Sequence, residues 1–189
     1  MRKLVLFMHV SLDGYASDVH DSLEWIPYNE EFVQYAEEVV AEVGSPVYGR
    51  NTYRLMEGYW PTVLDKPDAP SHAMEHAKWI QDVQKIVISN TMDTAEWNNT
   101  LIIRDNIADE IKALKEQPGK NLVIFGSPGA AKSLLELGLI DELLLTICPV
   151  ILGGGKSVFD GGGEKIQLKL LSSRTFNAGV LACRYQVLN

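Results

Sequence analysis

Two rhythms of apolar residues alternate along this chain. Short unbroken apolar runs read as buried strands, and stretches with apolar residues three or four positions apart read as helices. Residues 3–10 (KLVLFMHV) form the first run, followed by a long loop over 11–28. Between about residues 30 and 43, Phe32, Tyr35, Ala36, Val39, Val40 and Val43 share one helical face, and Asn29 is placed to cap it. Gly44, Ser45 and Pro46 stop that helix, and residues 46–48 read as a short strand. A helix over about 51–57 ends at Gly58, and Pro61, Pro67 and Pro70 predict a loop over 59–70. Ser71 is read as the cap of a helix running to about residue 82.

Strands follow at 85–89 and 100–104, then a helix from Asn106 to about 117 and a strand at 121–125. The next helix closes at Gly138, and 142–152 reads as a long strand. A glycine-rich loop over 153–163 precedes a hairpin of 166–176 and 180–187, with Gly179 supplying positive φ in its turn. Strand and helix alternate until two antiparallel strands close the chain. That order predicts an α/β protein whose mixed, mostly parallel sheet is covered by helices on both faces. With 189 residues and no visible linker or repeat, one domain over 1–189 is expected.

Composition narrows the function classes. Seventeen basic residues against 25 acidic give a net charge of −8, which argues against a nucleic-acid or membrane-surface binder. The first residues, MRKLVLFMHVSLDGYAS, have a faint signal-peptide shape, but the apolar stretch is short, contains His9 and runs into Asp13. A first strand of a cytoplasmic domain explains it better. Cys148 and Cys183 lie in apolar runs and read as buried thiols of a reducing compartment.

Ligands of open α/β sheets bind beyond the carboxyl ends of the strands. Four predicted strand ends carry small, polar or cationic residues: Ser11 to Ala16, Gly49 to Thr52, Ser89 to Thr91, and Gly126 to Gly129. Two of these turns open helices, whose first N–H groups and dipole favour anions. In the last turn Ser127 fits the N-cap and Pro128 the first helical position. Arg50 adds a guanidinium at a helix start, suited to the 2′-phosphate that separates NADP from NAD, or else to pairing with a surface carboxylate.

Two motifs are decoys. Residues 126–133 match the triphosphate-loop pattern at Gly126, Lys132 and Ser133 but carry Ala131 at its second glycine. Pro128 removes a donor that a phosphate-wrapping loop needs, so Lys132 is read as a solvated helix residue. HAMEH at 72–76 matches a zinc-peptidase signature, yet no third ligand is evident, and a surface helix with two solvated histidines is the better reading. No metal is expected.

Taken together, SLDGYA, YGRNTYRLMEGYWP, KIVISNT and GSPGAAKSLLELGLIDELLLTICPVILGGG resemble, in order and over nearly the whole chain, the dihydrofolate reductase-like superfamily. The nearest resemblance is to the reductase domain of bacterial riboflavin biosynthesis and its stand-alone relatives. The resemblance implies a three-layer α/β/α fold, a homodimer, NADPH, and hydride transfer to a small heterocyclic substrate of pterin, pyrimidine or related type. Carried over, Gly49, Arg50, Asn51 and Thr52 would hold the adenosine phosphate end, with Ser89 and Asn90 nearby. Gly126, Ser127, Pro128, Gly129, Ala130 and Ala131 would hold the pyrophosphate, and Ser11, Ala16, Ile151 and Gly153 would flank the nicotinamide. Asp13 would orient substrate or relay a proton, and Glu31 is either a pocket carboxylate or a solvated helix acid. Tyr48, Leu55, Met56 and Trp60 would line the substrate cavity or pack core and lid. The competing class is a nucleotide-binding module of the same fold without turnover.

Overall fold

The computed structural model of the chain describes residues 1–159 and 165–188, so residues 160–163 of the expected glycine-rich loop lie outside the described residues. Ten strands and five helices follow in order: β1 (Leu4–Ser11), β2 (Tyr15–Ser17), α1 (Glu30–Ala41), β3 (Val43–Gly49), α2 (Arg50–Leu64), α3 (Ser71–Asp82), β4 (Lys85–Ile88), β5 (Thr100–Ile103), α4 (Ile107–Glu116), β6 (Asn121–Phe125), α5 (Pro128–Glu136), β7 (Glu142–Cys148), β8 (Lys156–Ser157), β9 (Gln167–Thr175) and β10 (Leu181–Leu188). One eight-stranded sheet has the order β5-β4-β3-β6-β1-β7-β10-β9, and β2 pairs with β8 in a small second ribbon. The strands from β5 to β7 in that order run parallel, and β10 and β9 extend the sheet antiparallel. The fold class read from the sequence is therefore the one observed.

Strand alternation divides the apolar residues between two faces. Leu4, Leu6, Met8 and Val10 of β1, with Leu122 and Ile124 of β6, pack against Ile111 and Leu114 of α4 and Ala131 and Leu134 of α5. Val5, Phe7, Val123 and Leu144 face the other way and meet Phe32, Tyr35 and Val39 of α1. A third core on that same side joins Tyr48, Val87 and Phe125 of the sheet to Tyr53, Met56 and Trp60 of α2 and Ile80 of α3. Helices thus cover both faces. Cys148 and Cys183 are free buried thiols. Cys148 shares the α1 side with Leu144, whereas Cys183 pairs in register with Leu145 of the opposite side, so the sheet itself separates them.

The expected boundaries fail in four places. α2 does not stop at Gly58 but continues through Pro61 to Leu64. Its Tyr53, Met56, Trp60 and Val63 recur at helical spacing along one face, and packing on α3 outweighs the glycine and the hydrogen bond lost at Pro61. β3 starts at Val43, so Gly44, Ser45 and Pro46 belong to the strand. β7 ends at Cys148 instead of running to 152. Ser71 is the first helical residue of α3 and Pro70 holds the cap position. Asn29 does cap α1, accepting from the Phe32 N–H at 2.9 Å, and Gly179 sits at φ +79 in the terminal hairpin turn.

Candidate functional site

Because β4, β3, β6, β1 and β7 are parallel neighbours, their carboxyl ends form one rim. On its first half, two helix starts stand side by side. β3 delivers Gly49 to the start of α2, and β6 delivers Gly126 and Ser127 to the start of α5. The Gly49 N–H donates to the Ser127 hydroxyl at 3.0 Å and joins the two turns across 78 positions of sequence. A Cβ on Gly49 would sit 3.4 Å from Ala130 Cβ, an ordinary contact, so the two helix starts lie close together. Ser127 is N-cap by position only: its φ is +55, its side chain makes no capping bond, and its hydroxyl donates to the Phe125 carbonyl. Ala131 N to the Ser127 carbonyl is the first backbone bond of α5, so the Gly129 and Ala130 N–H groups precede the helical ladder. Gly126 has φ +55, and a Cβ on either Gly126 or Gly129 would meet nothing within 4 Å. The Gly126 N–H itself is taken by the Phe7 carbonyl.

Arg50 is the first residue of α2 and is exposed. Its guanidinium donates to the Thr91 hydroxyl at 2.7 Å and reaches Asn51 Oδ1 at 3.5 Å, and no carboxylate pairs with it among the described residues. The Thr91 N–H in turn donates to the Ser89 hydroxyl. Asn90 is exposed beside this chain of contacts. Thr91 enters the sequence reading only as the last residue of the Ser89–Thr91 strand end, because one threonine in a turn carries no role until its distant partner is known.

On the second half of the rim, Asp13 ties two loops together. Its carboxylate accepts from the Ser11 hydroxyl at 2.6 Å, the Leu152 N–H at 3.1 Å and the Gly153 N–H at 2.8 Å. The Ser11 bond, the largest cause, together with the two N–H bonds outweighs the opposing effect of burial and holds this carboxyl below its ordinary range. Ser11 also accepts from the Tyr15 N–H, so it builds the loop. Gly155 is required by contact: a Cβ there would fall 1.8 Å from the Ser17 carbonyl oxygen. Ala16 is buried in the first core, while Leu12, Val19 and Ile151 are 65%, 71% and 72% exposed. Large apolar side chains therefore face outward around this half of the rim.

Several expected site residues lie elsewhere. Tyr48, Met56 and Trp60 pack in the third core, with burial pushing the Tyr48 hydroxyl well above its usual range, and Leu55 points to solvent from α2. Ala131 faces the first core. Glu31 accepts from the Asn177 N–H at 2.9 Å and so holds the β9–β10 turn. Lys132 is half-buried instead of solvated, and the Ser133 hydroxyl donates to the Gly129 carbonyl within its own helix. Of the two HAMEH histidines only His72 is exposed. His76 lies tilted against Trp60, at 4.1 Å, and edge-on to Trp79, at 5.0 Å, and burial lowers its pKa to about 4. Among the described residues, no group of three His, Cys, Asp or Glu side chains is placed to hold a metal.

The sequence reading also passed over His9. It faces α1 from β1, and its Nδ1 lies 2.5 Å from the Thr146 hydroxyl. The rings of Phe7 and Phe32 lie 5.0 Å from it and that of Tyr28 6.2 Å. Burial lowers its pKa to about 4. A histidine in an apolar strand looks like core, and Thr146 is 137 positions away. Two surface depressions, of about 460 and 480 Å³, lie off this rim, one beside Tyr59 and Ala73 and one at the amino edge of the sheet beside Arg2 and Glu142. Neither gathers groups suited to chemistry.

The three-layer sandwich, with paired helix starts at the carboxyl ends of its central strands, is a dihydrofolate reductase-like fold. The profile of the RibD C-terminal domain matches residues 2–182, and the chain belongs to that family. YyaP of Bacillus subtilis is 30% identical over 186 residues, covering 97% of this chain and 94% of YyaP. Among solved structures, a candidate riboflavin biosynthesis protein from Shewanella sp. PV-4 superposes with a TM-score of 0.73 at 23% identity over 99% of each chain. The Thermotoga maritima diaminohydroxyphosphoribosylaminopyrimidine deaminase/5-amino-6-(5-phosphoribosylamino)uracil reductase gives a TM-score of 0.69 at 13% identity, with 99% of this chain covering 57% of that one. Enterococcus faecalis dihydrofolate reductase, complexed with NADP(H), gives 0.63 at 14% over 99% of this chain and 97% of its own. This is a family of reductase-type domains. No helix among the described residues is long and apolar enough to cross a membrane.

Proposed function

We propose that the chain is a cytoplasmic NADPH-dependent reductase acting on a small planar heterocycle. The observation that carries this reading is the pair of adjoining helix starts beside an arginine that no carboxylate among the described residues neutralises. A dinucleotide needs a short anion seat and a second anchor some distance away. The Gly129 and Ala130 N–H groups and the open space over Gly126 and Gly129 fit the pyrophosphate. Arg50, with Asn51, Thr52 and the Thr91–Ser89 contacts behind it, fits the 2′-phosphate. Across β1, the loops clasped by Asp13 present Leu12, Val19 and Ile151, an apolar surface suited to a flat ring. When bound, the cofactor supplies the hydride; the chain supplies position and dryness. Asp13 is a positioning residue in this reading, since both of its oxygens are engaged by loop donors. The homodimer implied by the resemblance is supported by β9, an edge strand that exposes Leu168, Leu170 and Leu171; light scattering of the eluted protein tests it.

The reading is tested by fluorescence titration. NADPH is expected to bind more tightly than NADH, and Arg50→Ala to remove most of that preference, roughly 1.5–3 kcal/mol for a charge-assisted contact. Equal affinity of the unmodified protein for the two cofactors would sink the assignment of Arg50. Oxidation of NADPH across pterin, flavin-precursor and quinone panels then separates an enzyme from a nucleotide-binding module, which binds without turnover.

A further inference from the structure

His9 is built as a donor that its own protein does not use. Along β1 the residues facing α1 are Val5, Phe7, His9 and Ser11; Ser11 is buried and bonded within its loop, and His9 is half-buried. The imidazole makes one hydrogen bond, from or to Thr146 through Nδ1. No fully buried side-chain nitrogen or oxygen among the described residues lacks a partner, so Nε2, which has none, is not fully buried. Tyr28, 62% exposed, is the outermost ring of the surrounding aromatic group.

The tautomer follows from Thr146. That residue is fully buried, and its hydroxyl has the imidazole as its partner. A buried hydroxyl that accepted from Nδ1–H would leave its own proton without an acceptor, whereas one that donates to Nδ1 leaves only a lone pair open. The unmet donor is the costlier fault. The hydroxyl therefore donates, Nδ1 accepts, and the ring proton sits on Nε2. At neutral pH the ring is uncharged, because burial has moved its pKa to about 4. No carboxylate among the described residues bonds to it.

We infer that His9 is a specificity-determining residue of the substrate site, presenting Nε2–H to a ring carbonyl of a planar ligand laid against Tyr28. This rests on the reductase reading and narrows it: the site takes rings that offer a carbonyl acceptor, such as cyclic imides, lactams or quinones. It disfavours rings whose corresponding edge offers amino or amidine donors, because donor would face donor with no carboxylate to receive it.

The probes are lumazine, which carries two ring carbonyls, and 2,4-diaminopteridine, which carries amino groups in their place. Binding of each is measured with the unmodified protein and with the double variant His9→Phe/Thr146→Val, which keeps an aromatic ring and removes both polar partners. The unmodified protein is expected to prefer lumazine by about tenfold, the scale of one satisfied hydrogen bond against one unmet donor. The double variant is expected to lose that preference while its NADPH affinity stays unchanged. Nitrogen NMR of the histidines is expected to show His9 protonated at Nε2 and bare at Nδ1. Preference for 2,4-diaminopteridine, an unchanged ratio in the double variant, or the opposite tautomer overturns the inference, even where NADPH binds as expected. Failure of NADPH binding alone would overturn the cofactor reading and leave the lumazine ratio, which needs no cofactor, to decide this one.

Discussion

The two edges of the sheet use their polar groups in opposite ways. At the amino edge, Glu142 is 3% exposed and accepts from both Lys3 and Arg184. Arg184 also grips Glu42 with its two terminal nitrogens. Lys115 pairs with Asp141, and Arg2 donates to the Lys120 carbonyl and the Ser45 hydroxyl. Burial alone would raise the Glu142 carboxyl, but its two cationic partners outweigh that and lower it. At the carboxyl edge Arg104 pairs with Asp93, but Arg50 rests on a hydroxyl and an amide, and two helix starts keep N–H groups outside the ladder. Structural polar groups find partners inside the chain. In the proposed reading the carboxyl edge holds donors for a ligand, which is the contrast a binding site requires.

Substitutions at the two edges should therefore separate stability from binding. Glu142→Leu strands Lys3 and Arg184 beside a buried apolar side chain. The expected loss of unfolding free energy is about 3 kcal/mol, at the low end for a broken buried pair because Arg184 keeps Glu42 and Lys3 is half exposed. Urea unfolding measures it, and NADPH affinity of the folded variant should not move. Arg50→Ala should do the reverse, with stability changed by less than about 0.5 kcal/mol. If Arg50→Ala destabilised the protein as much as Glu142→Leu, the contrast between the edges would be wrong.

A smaller effect comes from two half-buried histidines, one on each side of the comparison between site and scaffold. His9 stands beside the rim and His76 in the aromatic core of α2 and α3, and burial depresses both to about 4. In the unfolded chain each titrates near 6.5. Between pH 6.5 and 4 the unfolded state binds more protons, so stability rises with pH there and is lost on acidification. Lowering the pH from 7.5 to 5.5 should cost about 1 kcal/mol per histidine. Over that range the lowered Glu142 carboxyl stays ionised and contributes nothing to the slope. His76→Phe should remove its share of the pH dependence, and a Tm profile that kept its full slope would show His76 to be solvated after all.

Local chemistry in the sequence announced much of this architecture. Asn29 before an apolar stripe, Pro128 opening α5 and Gly179 in the last turn each act over a few residues, and each lies where expected. The α2 extension was illegible because Gly58 and Pro61 argue locally for a stop, while the apolar face of Met56, Trp60 and Val63 matters only once α3 is present. In the site, a strand end followed by glycine, arginine or serine marked the rim. The bonds that organise it join residues far apart: Gly49 to Ser127, Asp13 to Gly153, His9 to Thr146. Glu31 shows the converse ambiguity, since an acid at a helix start suits a pocket, solvent or a hairpin turn, and only the fold brings Asn177 to it.

The smallest effect gives the sharpest separation of the two roles, because its signs are opposed. Gly129 is the second residue of α5, exposed, with no positive φ and with open space where a Cβ would stand. On structural grounds alone, alanine belongs there: it limits the unfolded chain and suits a helix, so Gly129→Ala should stabilise the protein by about 0.5 kcal/mol. The same methyl group would project from the start of α5 into the space assigned to the pyrophosphate, so NADPH should bind several-fold more weakly. Thermal unfolding without ligand and fluorescence titration with NADPH report the two effects independently. A variant that gained stability and kept its affinity would move the pyrophosphate away from this turn, whereas a gain in stability with a loss in affinity means that the glycine serves the ligand and not the fold.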